Sequence, residues 1–177
     1  MKKDLITELL KDFHEKPLPD LIDRELNIIL PKTKKAITII GPRRAGKTFF
    51  LFNMMKRLKN VDKSEMVYIN LEDDRLLPLD INVLDSILRT YFEIYPQNRN
   101  KEVYLFLDEI QNVDDWEKFV RRVLDTENII IFLTGSSSKL LAKEIATSMR
   151  GRAIHQIILP FSFREFFFVE IARVLTA

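Results

Sequence analysis

The sequence predicts an α/β fold in which a parallel β-sheet is covered on both faces by helices. Short apolar runs alternate along the chain with longer segments of helical character, and continuously apolar runs are typical of strands buried on both faces. The octet GPRRAGKT also stands directly after the first of these runs, where α/β folds place their phosphate-binding loops. We therefore expect a three-layer domain whose ligand site lies at one edge of the sheet.

The composition restricts the class of protein. The chain has 177 residues, 46% of them apolar, and a formal net charge of +2. This length is enough for one domain with a sizeable core, and the small net charge gives no general attraction to nucleic acid. The absence of cysteine excludes disulfides, thiolate metal sites and cysteine nucleophiles. No apolar run reaches membrane-spanning length and the N-terminus carries acidic residues, so we expect a soluble, cytoplasmic protein with no membrane partner.

Residues 1–35 are predicted to form a helical segment that packs on the core, ahead of a domain that spans residues 36–177. Residues Lys3–His14 carry apolar side chains at helical spacing, and two prolines follow shortly after them. Because proline interrupts a helix, a second helix is expected to begin only at Asp20 and to end at Leu30.

The remaining elements alternate between strands and helices. The apolar runs predicted as strands are Ala36–Ile40, Glu65–Leu71, Val103–Leu107, Ile129–Thr134 and Ile154–Leu159. The segments predicted as helices are the one that follows the octet, then Leu84–Tyr95, Trp116–Leu124, Ser138–Ala146 and Phe161–Leu175. Parallel strands need crossover connections of this kind, so the order of elements supports the parallel sheet.

The octet Gly41–Thr48 fits the pattern G-x-x-x-x-G-K-[ST] of phosphate-binding loops. Gly41 is expected to permit a sharp exit from the strand, and Gly46 to adopt backbone angles that side chains disfavour. The alternative is a surface turn that happens to contain Gly-Lys-Thr. The apolar strand before the octet and the unbroken apolar segment after it favour nucleotide binding instead.

Each position of the loop is predicted to contact the nucleotide. Lys47 would place its charge on the β- and γ-phosphates, and the Thr48 hydroxyl would ligate magnesium. Backbone N–H groups converge on the phosphates, assisted by the positive end of the following helix. The predicted nucleotide-binding residues are Gly41, Pro42, Arg43, Arg44, Ala45, Gly46, Lys47, Thr48 and Phe49.

Two carboxylates end the third predicted strand, where Asp108 and Glu109 follow five apolar residues. The carboxyl ends of parallel strands form the ligand site of α/β folds, so Asp108 is predicted to hold Mg²⁺ through its waters, opposite Thr48. Glu109 should point elsewhere because successive strand residues alternate, and a carboxylate beside the γ-phosphate can activate a water. The alternative for the pair is a charged helix N-terminus.

A polar residue at the tip of the fourth predicted strand is a candidate for positioning the attacking water. If this strand lies between the loop strand and the Asp108 strand, its tip faces the γ-phosphate. Thr134 is the first choice and Ser136 the second. Capping of the next helix by residues 136–138 is the alternative, and it explains at least one of these hydroxyls without catalysis.

Two arginines flank a glycine before the fifth predicted strand. Arg150 and Arg152 could carry their charge to the phosphate of a neighbouring subunit, where arginine stabilises the transition state of phosphoryl transfer. A solvated turn or a structural ion pair explains the two arginines equally well.

These segments resemble a known family. The strings GPRRAGKT, YLFLDEIQNVDDWEKF, IIIFLTGSSSKLL and GRAIHQIILPFSFREF are similar to the archaeal and bacterial AAA-type ATPases of the additional-strand class. The similarity is greatest to the archaeal ATPase and AAA_14-like group, which are relatives of the STAND signalling ATPases, and it runs from about Arg24 to Phe167. It implies a three-layer P-loop NTPase whose five-stranded parallel sheet has the order 5-1-4-3-2.

The resemblance also implies ATP or ADP with Mg²⁺ as ligands, and a role for each candidate residue. Asp108 would be the magnesium-site acid, Glu109 the water-activating base and Thr134 a sensor-like residue, with Arg152 or Arg150 as a finger. The implied catalytic residues are Lys47, Glu109, Thr134 and Arg152, and the implied metal-site residues are Thr48 and Asp108.

Family members usually continue past the string LPFSFREF into a lid and a C-terminal domain, whereas this chain stops at Ala177. The resemblance therefore leaves open a homo-oligomer, and a protein or DNA partner that acts through the missing C-terminal region. A second sensor arginine would lie in that missing lid.

ATP hydrolysis is the leading functional hypothesis, and a nucleotide-gated, STAND-like switch with little turnover is the alternative. A GTPase would need a guanine-reading NKxD string, and the nearest string here, NKEV, lacks the aspartate. A small-molecule kinase could use the same loop but has less use for a water-activating Glu109.

Overall fold

The computed structural model describes residues 2–22, 34–135, 149–163, 165 and 167. The strands are β1 (Ala36–Ile40), β2 (Met66–Asn70), β3 (Val103–Asp108), β4 (Ile129–Gly135) and β5 (Ala153–Ile157). The α-helices in these ranges are α1 (Lys2–Glu15), α2 (Lys47–Arg57), α3 (Ile81–Ile94) and α4 (Trp116–Thr126). Short 3₁₀ turns connect them at Lys63–Glu65, Asp74–Leu76, Pro96–Asn100 and Ile110–Asn112.

The five strands form a single parallel sheet in the order β2-β3-β4-β1-β5. The predicted order 5-1-4-3-2 is therefore confirmed, and β4 lies between the loop strand β1 and the acidic strand β3. Ile39 is in register with Thr134, and Asn70 with Asp108. The carboxyl ends of β1, β3 and β4 consequently meet at one edge of the sheet.

Both faces of the sheet are covered, as continuously apolar strands require. Every residue of β1 and of β3 is buried. Along β3, Leu105 and Leu107 pack in one apolar cluster with residues of α1, α3 and α4. Tyr104 and Phe106, which alternate with them, pack in a second cluster against α2. The three-layer α/β fold predicted from the sequence is thus confirmed.

Several predicted boundaries differ from the structure. Helix α3 was expected to begin at Leu84 but begins at Ile81, because the Asp80 side chain accepts a hydrogen bond from the backbone N–H of Val83 and caps the helix. The fifth strand was expected over residues 154–159 but ends at Ile157. Residues 20–22 are not helical, and the rest of the second predicted helix lies outside the described residues, as do residues 138–146 and most of 161–175.

The helix α1 packs on the core through side chains that the sequence pattern placed on one stripe. Ile6 and Leu10 are fully buried in the same cluster as α3 and α4. Further along, the His14 ring N–H at Nε2 donates to the Met66 carbonyl over 2.8 Å, and the Tyr95 hydroxyl lies 3.1 Å from Nδ1. Since Nε2 is the donor, Nδ1 of the neutral ring accepts from Tyr95. No helix in the described ranges is long and apolar enough to cross a membrane.

Acidification is expected to destabilise the contact between α1 and the core. Burial lowers the pKa of His14 from 6.5, the hydrogen bond to the Met66 carbonyl opposes this shift, and the nearby Lys63 charge adds to it. The folded chain therefore binds fewer protons at His14 than the unfolded chain. The free energy of unfolding should fall as the pH drops through about 6.5 towards the lower folded pKa.

Thermal unfolding between about pH 8 and about pH 5 measures this effect. The melting temperature of the parent chain should fall more steeply with acid than that of His14→Gln. His155, whose pKa burial also lowers, is present in both chains and cancels in the comparison. Parallel pH profiles for the two chains would show that His14 contributes nothing to the acid sensitivity.

Candidate functional site

The octet connects β1 to α2 with the backbone conformation that the sequence predicted at its second glycine. Gly46 has φ 86° and ψ 26°, in the left-handed region, and is the N-terminal cap of α2. Glycine adopts these angles without the cost that a side chain imposes. Arg44 also has a positive φ, of 63°. Two left-handed residues with one residue between them turn the loop tightly, so the N-terminus of α2 opens at its centre.

Gly41 is required for a different reason from the one that the sequence suggested. Its φ is not in the left-handed region, but a Cβ atom there would lie 2.2 Å from the carbonyl oxygen of Ile158. The chain leaving β5 passes close above it, and the Ile158 N–H donates to the Ile40 carbonyl over 2.7 Å. Because Gly41 has no side chain, the backbone at Ile158 can pass close to the start of the loop.

Lys47 lies at the centre of the loop and is only 5% exposed. Its ammonium donates to the carbonyls of Gly41, at 3.3 Å, and Pro42, at 3.2 Å. Its Nζ atom is also 3.6 Å from Oε1 of Glu109. The cation is thus held between the loop and the end of β3.

Asp108, at the end of β3, is a buried carboxylate that accepts hydrogen bonds from three hydroxyls. Thr48 donates to its Oδ2 over 2.7 Å, Tyr68 donates to the same oxygen over 3.2 Å, and Thr134 donates to Oδ1. The predicted pair of Thr48 and Asp108 is therefore brought together across 60 residues of sequence.

Tyr68 was missed by the sequence analysis because it lies within a strand that carries no motif. Burial raises the pKa of its phenol, and the neighbouring Asp108 charge raises it further. The phenol therefore keeps its proton at neutral pH and acts as a hydrogen-bond donor toward Asp108.

The backbone conformation at Glu109, and not strand alternation, sets the direction of its side chain. The strand β3 ends at Asp108, and Glu109 has a left-handed backbone with φ 57° and ψ 50°. Its Oε2 accepts a hydrogen bond of 2.7 Å from the side-chain amide of Gln111, while Oε1 faces Lys47. Glu109 and Asp108 have different partners, as expected, but strand alternation is not the cause, because β3 ends at Asp108.

Thr134, at the tip of β4, is fully buried between the two acidic residues. Its hydroxyl donates to Asp108 and accepts a 2.9 Å hydrogen bond from the backbone N–H of Glu109. The central position of β4 brings this hydroxyl to the site, as the predicted strand order implied. Its role toward an attacking water stays a prediction, and Ser136 lies outside the described residues.

The two candidate finger arginines lie at the opposite edge of the sheet. The Arg152 carbonyl accepts from the N–H of Ala36, the first residue of β1, whereas the loop follows the other end of that strand. Arg152 also binds both carboxylate oxygens of Asp125, at the end of α4, at 2.6 Å. This contact matches the structural ion pair that the sequence left open. Arg150 lines the same surface cavity as Arg152.

Among the described residues, two of the surface cavities adjoin the loop. The first, of about 320 Å³, is polar and is lined by Arg43, Arg44, Lys47, Glu72 and Glu109. The second, of about 180 Å³, lies beside Gly46 and has mostly apolar walls that include Ile22, Phe49, Phe50 and Asn53. The loop therefore stands between a charged compartment and an apolar one, in the manner of a site for a phosphorylated ligand with an apolar group.

Together with Asp20, Asn53 is one of two polar side chains on the wall of the apolar cavity. It is buried, and its amide nitrogen donates to the Ile22 carbonyl over 2.9 Å. Its Oδ1 atom has no hydrogen-bond partner in the described part of the chain. A buried acceptor without a partner is costly, so it is a candidate to receive a donor from a ligand. A single asparagine within a helix offered no signal of this in the sequence.

Comparison with known proteins identifies the family. A family model described as an AAA domain matches residues 33–167, which include the loop and the ends of β3 and β4. The chain belongs to the AAA-type P-loop ATPases. The described fold agrees with this assignment, since a five-stranded parallel sheet with helices carries the loop. The further relation to STAND ATPases stays a prediction.

Three curated relatives are similar to this chain, and each is described as an uncharacterised protein. Two proteins of Methanocaldococcus jannaschii are 44% identical over 93% of the chain and 31% identical over 85% of it. A protein of Haemophilus influenzae is 32% identical over 72% of the chain. The chain spans about a third of these relatives, at 35%, 31% and 32% of their lengths.

A solved structure of C. elegans PCH-2 has a similar fold. The TM-score is 0.53 at 15% sequence identity, and the similarity covers 97% of this chain and 46% of that one. At this identity the likeness concerns the fold alone.

Proposed function

We propose that this AAA domain binds ATP with Mg²⁺ and hydrolyses it. The observation that carries the proposal is the convergence of the loop with both acidic residues. Thr48 lies 2.7 Å from Asp108, and Lys47 lies 3.6 Å from Glu109. Phosphate-binding and water-activating groups are thereby within reach of one ligand, which is the arrangement that phosphoryl transfer needs.

The donor set fits Mg²⁺. A threonine hydroxyl and a carboxylate are hard oxygen donors, and Mg²⁺ takes few protein ligands, with waters and phosphate oxygens completing its shell. Thr48 and Asp108 would hold the ion, Thr48 directly and Asp108 through water. When bound, Mg²⁺ would neutralise charge on the β- and γ-phosphates.

The remaining residues would act on the phosphates and on water. Lys47 would exchange its contacts with the loop carbonyls for the β- and γ-phosphate oxygens, and the α2 N-terminus would add backbone donors. Glu109 would accept a proton from the water that attacks the γ-phosphate. Thr134, whose hydroxyl contacts Asp108 and the Glu109 backbone, would fix the relative position of the two carboxylates.

The nucleotide base would enter the apolar cavity beside Gly46. Phe49 is 54% exposed on the first turn of α2, so its ring is available to contact a base. The Asn53 Oδ1 atom could accept a hydrogen bond from the exocyclic amino group of adenine. Guanine presents a carbonyl oxygen at the corresponding position. That oxygen and Asn53 Oδ1 are both acceptors, so guanine binding would be disfavoured there. These features support ATP over GTP as the ligand.

Phe49→Ala is expected to weaken ADP binding about tenfold, since base–aromatic stacking contributes about 1–3 kcal/mol. The loop is unchanged, so binding of inorganic pyrophosphate should be unaffected. Calorimetric titration with each ligand measures the two effects. Leu77→Ala is the matched control, because Leu77 is similarly exposed, at 60%, but does not line the cavity. Equal loss of ADP and pyrophosphate affinity would argue against a base site at Phe49.

Phosphate release from ATP by the purified chain, without a second substrate, tests the proposed function. Multiple turnovers that stop when EDTA removes the metal would support an ATPase. Phosphate transfer only on addition of a small-molecule acceptor would support a kinase. Absence of nucleotide binding would overturn the proposal altogether.

A nucleotide-gated switch is the second candidate. Both carboxylate oxygens of Glu109 are engaged, one by the Gln111 amide and the other by the Lys47 ammonium. A base held in this way has to be released before it can accept a proton, and this favours slow turnover. Nucleotide retained through purification, together with less than one turnover in the steady-state assay, would favour the switch.

We also propose that the whole protein forms a homo-oligomer and binds a protein or DNA partner. A finger role for Arg152 would require its contact with Asp125 to open and a second subunit to bring its phosphate site to that edge. A protein or DNA partner would act through regions beyond the third of the relatives that this chain covers. A nucleotide-bound structure of an assembled form would test both ideas.

A further inference from the structure

The Tyr68 side chain is held between two helices before it reaches the acidic end of β3. Its ring centroid lies 5.7 Å from that of Phe13 on α1 and 5.0 Å from that of Phe52 on α2. Tilted aromatic pairs at these distances are favourable contacts. The ring therefore has little freedom to rotate away from the position in which its hydroxyl meets Asp108.

The register of the sheet explains how a residue of β2 reaches this carboxylate. Asn70 is opposite Asp108, and Tyr68 is two residues earlier, opposite Phe106. Tyr68 and Asn70 share a face because the side chains of a strand alternate. The length of the tyrosine ring carries its hydroxyl along the strand to the edge, where it lies 3.2 Å from Asp108 Oδ2.

The same carboxylate oxygen also receives the Thr48 hydroxyl. With Thr134 on Oδ1, the Asp108 carboxylate is held from three sides by α2, β2 and β4. Thr48 and Thr134 belong to regions that carry the motifs, whereas Tyr68 does not. The phenol adds a rigid donor that keeps Oδ2 directed toward Thr48.

We propose that Tyr68 is a positioning residue for the magnesium site, which acts by fixing the Asp108 carboxylate against Thr48. This inference rests on the proposed function, because it concerns the metal that accompanies the nucleotide. Tyr68 would act through Asp108 and not by contacting the metal or the nucleotide itself. Partners of this kind orient the groups that hold an ion, and losing one typically costs about tenfold or more in metal affinity or activity.

Tyr68→Phe tests the proposal, because it removes the hydroxyl and keeps the ring that packs on Phe13 and Phe52. Tyr104→Phe is the matched control. Tyr104 is buried on β3, and its hydroxyl donates to the Glu102 carboxylate over 2.7 Å, near the start of that strand. Both variants thus lose one phenol–carboxylate hydrogen bond, but only one of those bonds involves Asp108.

Fluorescent-ADP binding is measured in EDTA and then over a Mg²⁺ titration, alongside thermal unfolding. In EDTA all three chains should bind ADP equally. The Mg²⁺ concentration that gives half of the metal-dependent change should rise about tenfold in Tyr68→Phe and stay unchanged in Tyr104→Phe. Such a rise with an ordinary melting temperature supports positioning, since a purely structural loss would shift melting alone.

Two negative outcomes are distinguishable. An unchanged Mg²⁺ midpoint in Tyr68→Phe, beside a clear metal response in the parent chain, overturns the role of Tyr68 and leaves the proposed function standing. If the parent chain itself binds ADP with no response to Mg²⁺, the metal site at Thr48 and Asp108 is wrong. In that case the positioning role is overturned together with it.

Discussion

Glu109→Gln is expected to reduce ATP turnover about a hundredfold or more while ATP binding is retained, because general-base catalysis typically contributes factors of about 10² to 10⁴. Glutamine has nearly the same shape, and its amide oxygen can still accept the hydrogen bond from Gln111. It cannot accept a proton from water. The carboxylate that lies 3.6 Å from Lys47 would also lose its charge, so the lysine would be freer for phosphate and affinity should not fall.

Single-turnover hydrolysis and equilibrium ATP binding, measured on the same preparation, separate these two effects. Glu72→Gln is the matched control, since Glu72 lines the same polar cavity but is exposed and makes no contact with Lys47 in the described part of the chain. It should leave both quantities close to those of the parent. If Glu109→Gln hydrolysed ATP at the parental rate, the assignment of Glu109 as the base would be wrong.

Much of the fold could be predicted because local sequence patterns indicate the individual strands and the loop. The run Val103–Leu107 is apolar at every position, and this is what a strand buried on two faces requires. Its alternate residues do pack on opposite helical layers. The glycine at position 46 has the left-handed backbone that the loop pattern demands. The strand order came instead from family resemblance, since no local feature states which strands are neighbours.

The site was predictable where chemistry follows a motif, and not where it depends on packing between strands. Thr48 and Asp108 each belong to a pattern, and the structure brings them together. Tyr68 reaches Asp108 only because β2 and β3 are adjacent and in a particular register. Gly41 faces a carbonyl more than a hundred residues away, at Ile158. Glu109 departs from strand alternation because the backbone turns at that residue.

The arginines show how a correct residue type can leave its role undecided. The sequence places Arg152 directly before β5. In the structure it accordingly lies at the amino ends of the strands, whereas the octet lies at their carboxyl ends. Its contact with Asp125 is exposed on both sides, so solvent screens the attraction and the pair holds the arginine only weakly. Such a pair can exchange Asp125 for a more highly charged phosphate if another subunit supplies one.

Lys47→Ala is expected to weaken both ATP and ADP binding about a hundredfold. The ammonium is almost fully buried in the loop, and hydrogen bonds to charged groups contribute about 1.5–3 kcal/mol each. Removal would also leave the partly buried Glu109 carboxylate without its nearest cation in the described structure, and this negative charge would face the phosphates. Loss of attraction and added repulsion therefore act in the same direction, in contrast to Glu109→Gln, which spares affinity.

Equilibrium titration with fluorescent ADP and ATP measures the loss, with Lys56→Ala as the control. Lys56 is an exposed lysine on the same helix, so it matches the change in net charge without touching the loop. Its affinity should stay within about twofold of the parent, because salt screens exposed charges at that range. Parental affinity in Lys47→Ala would mean that the phosphates lie elsewhere, and the loop, the metal site and the base cavity would lose their common ligand together.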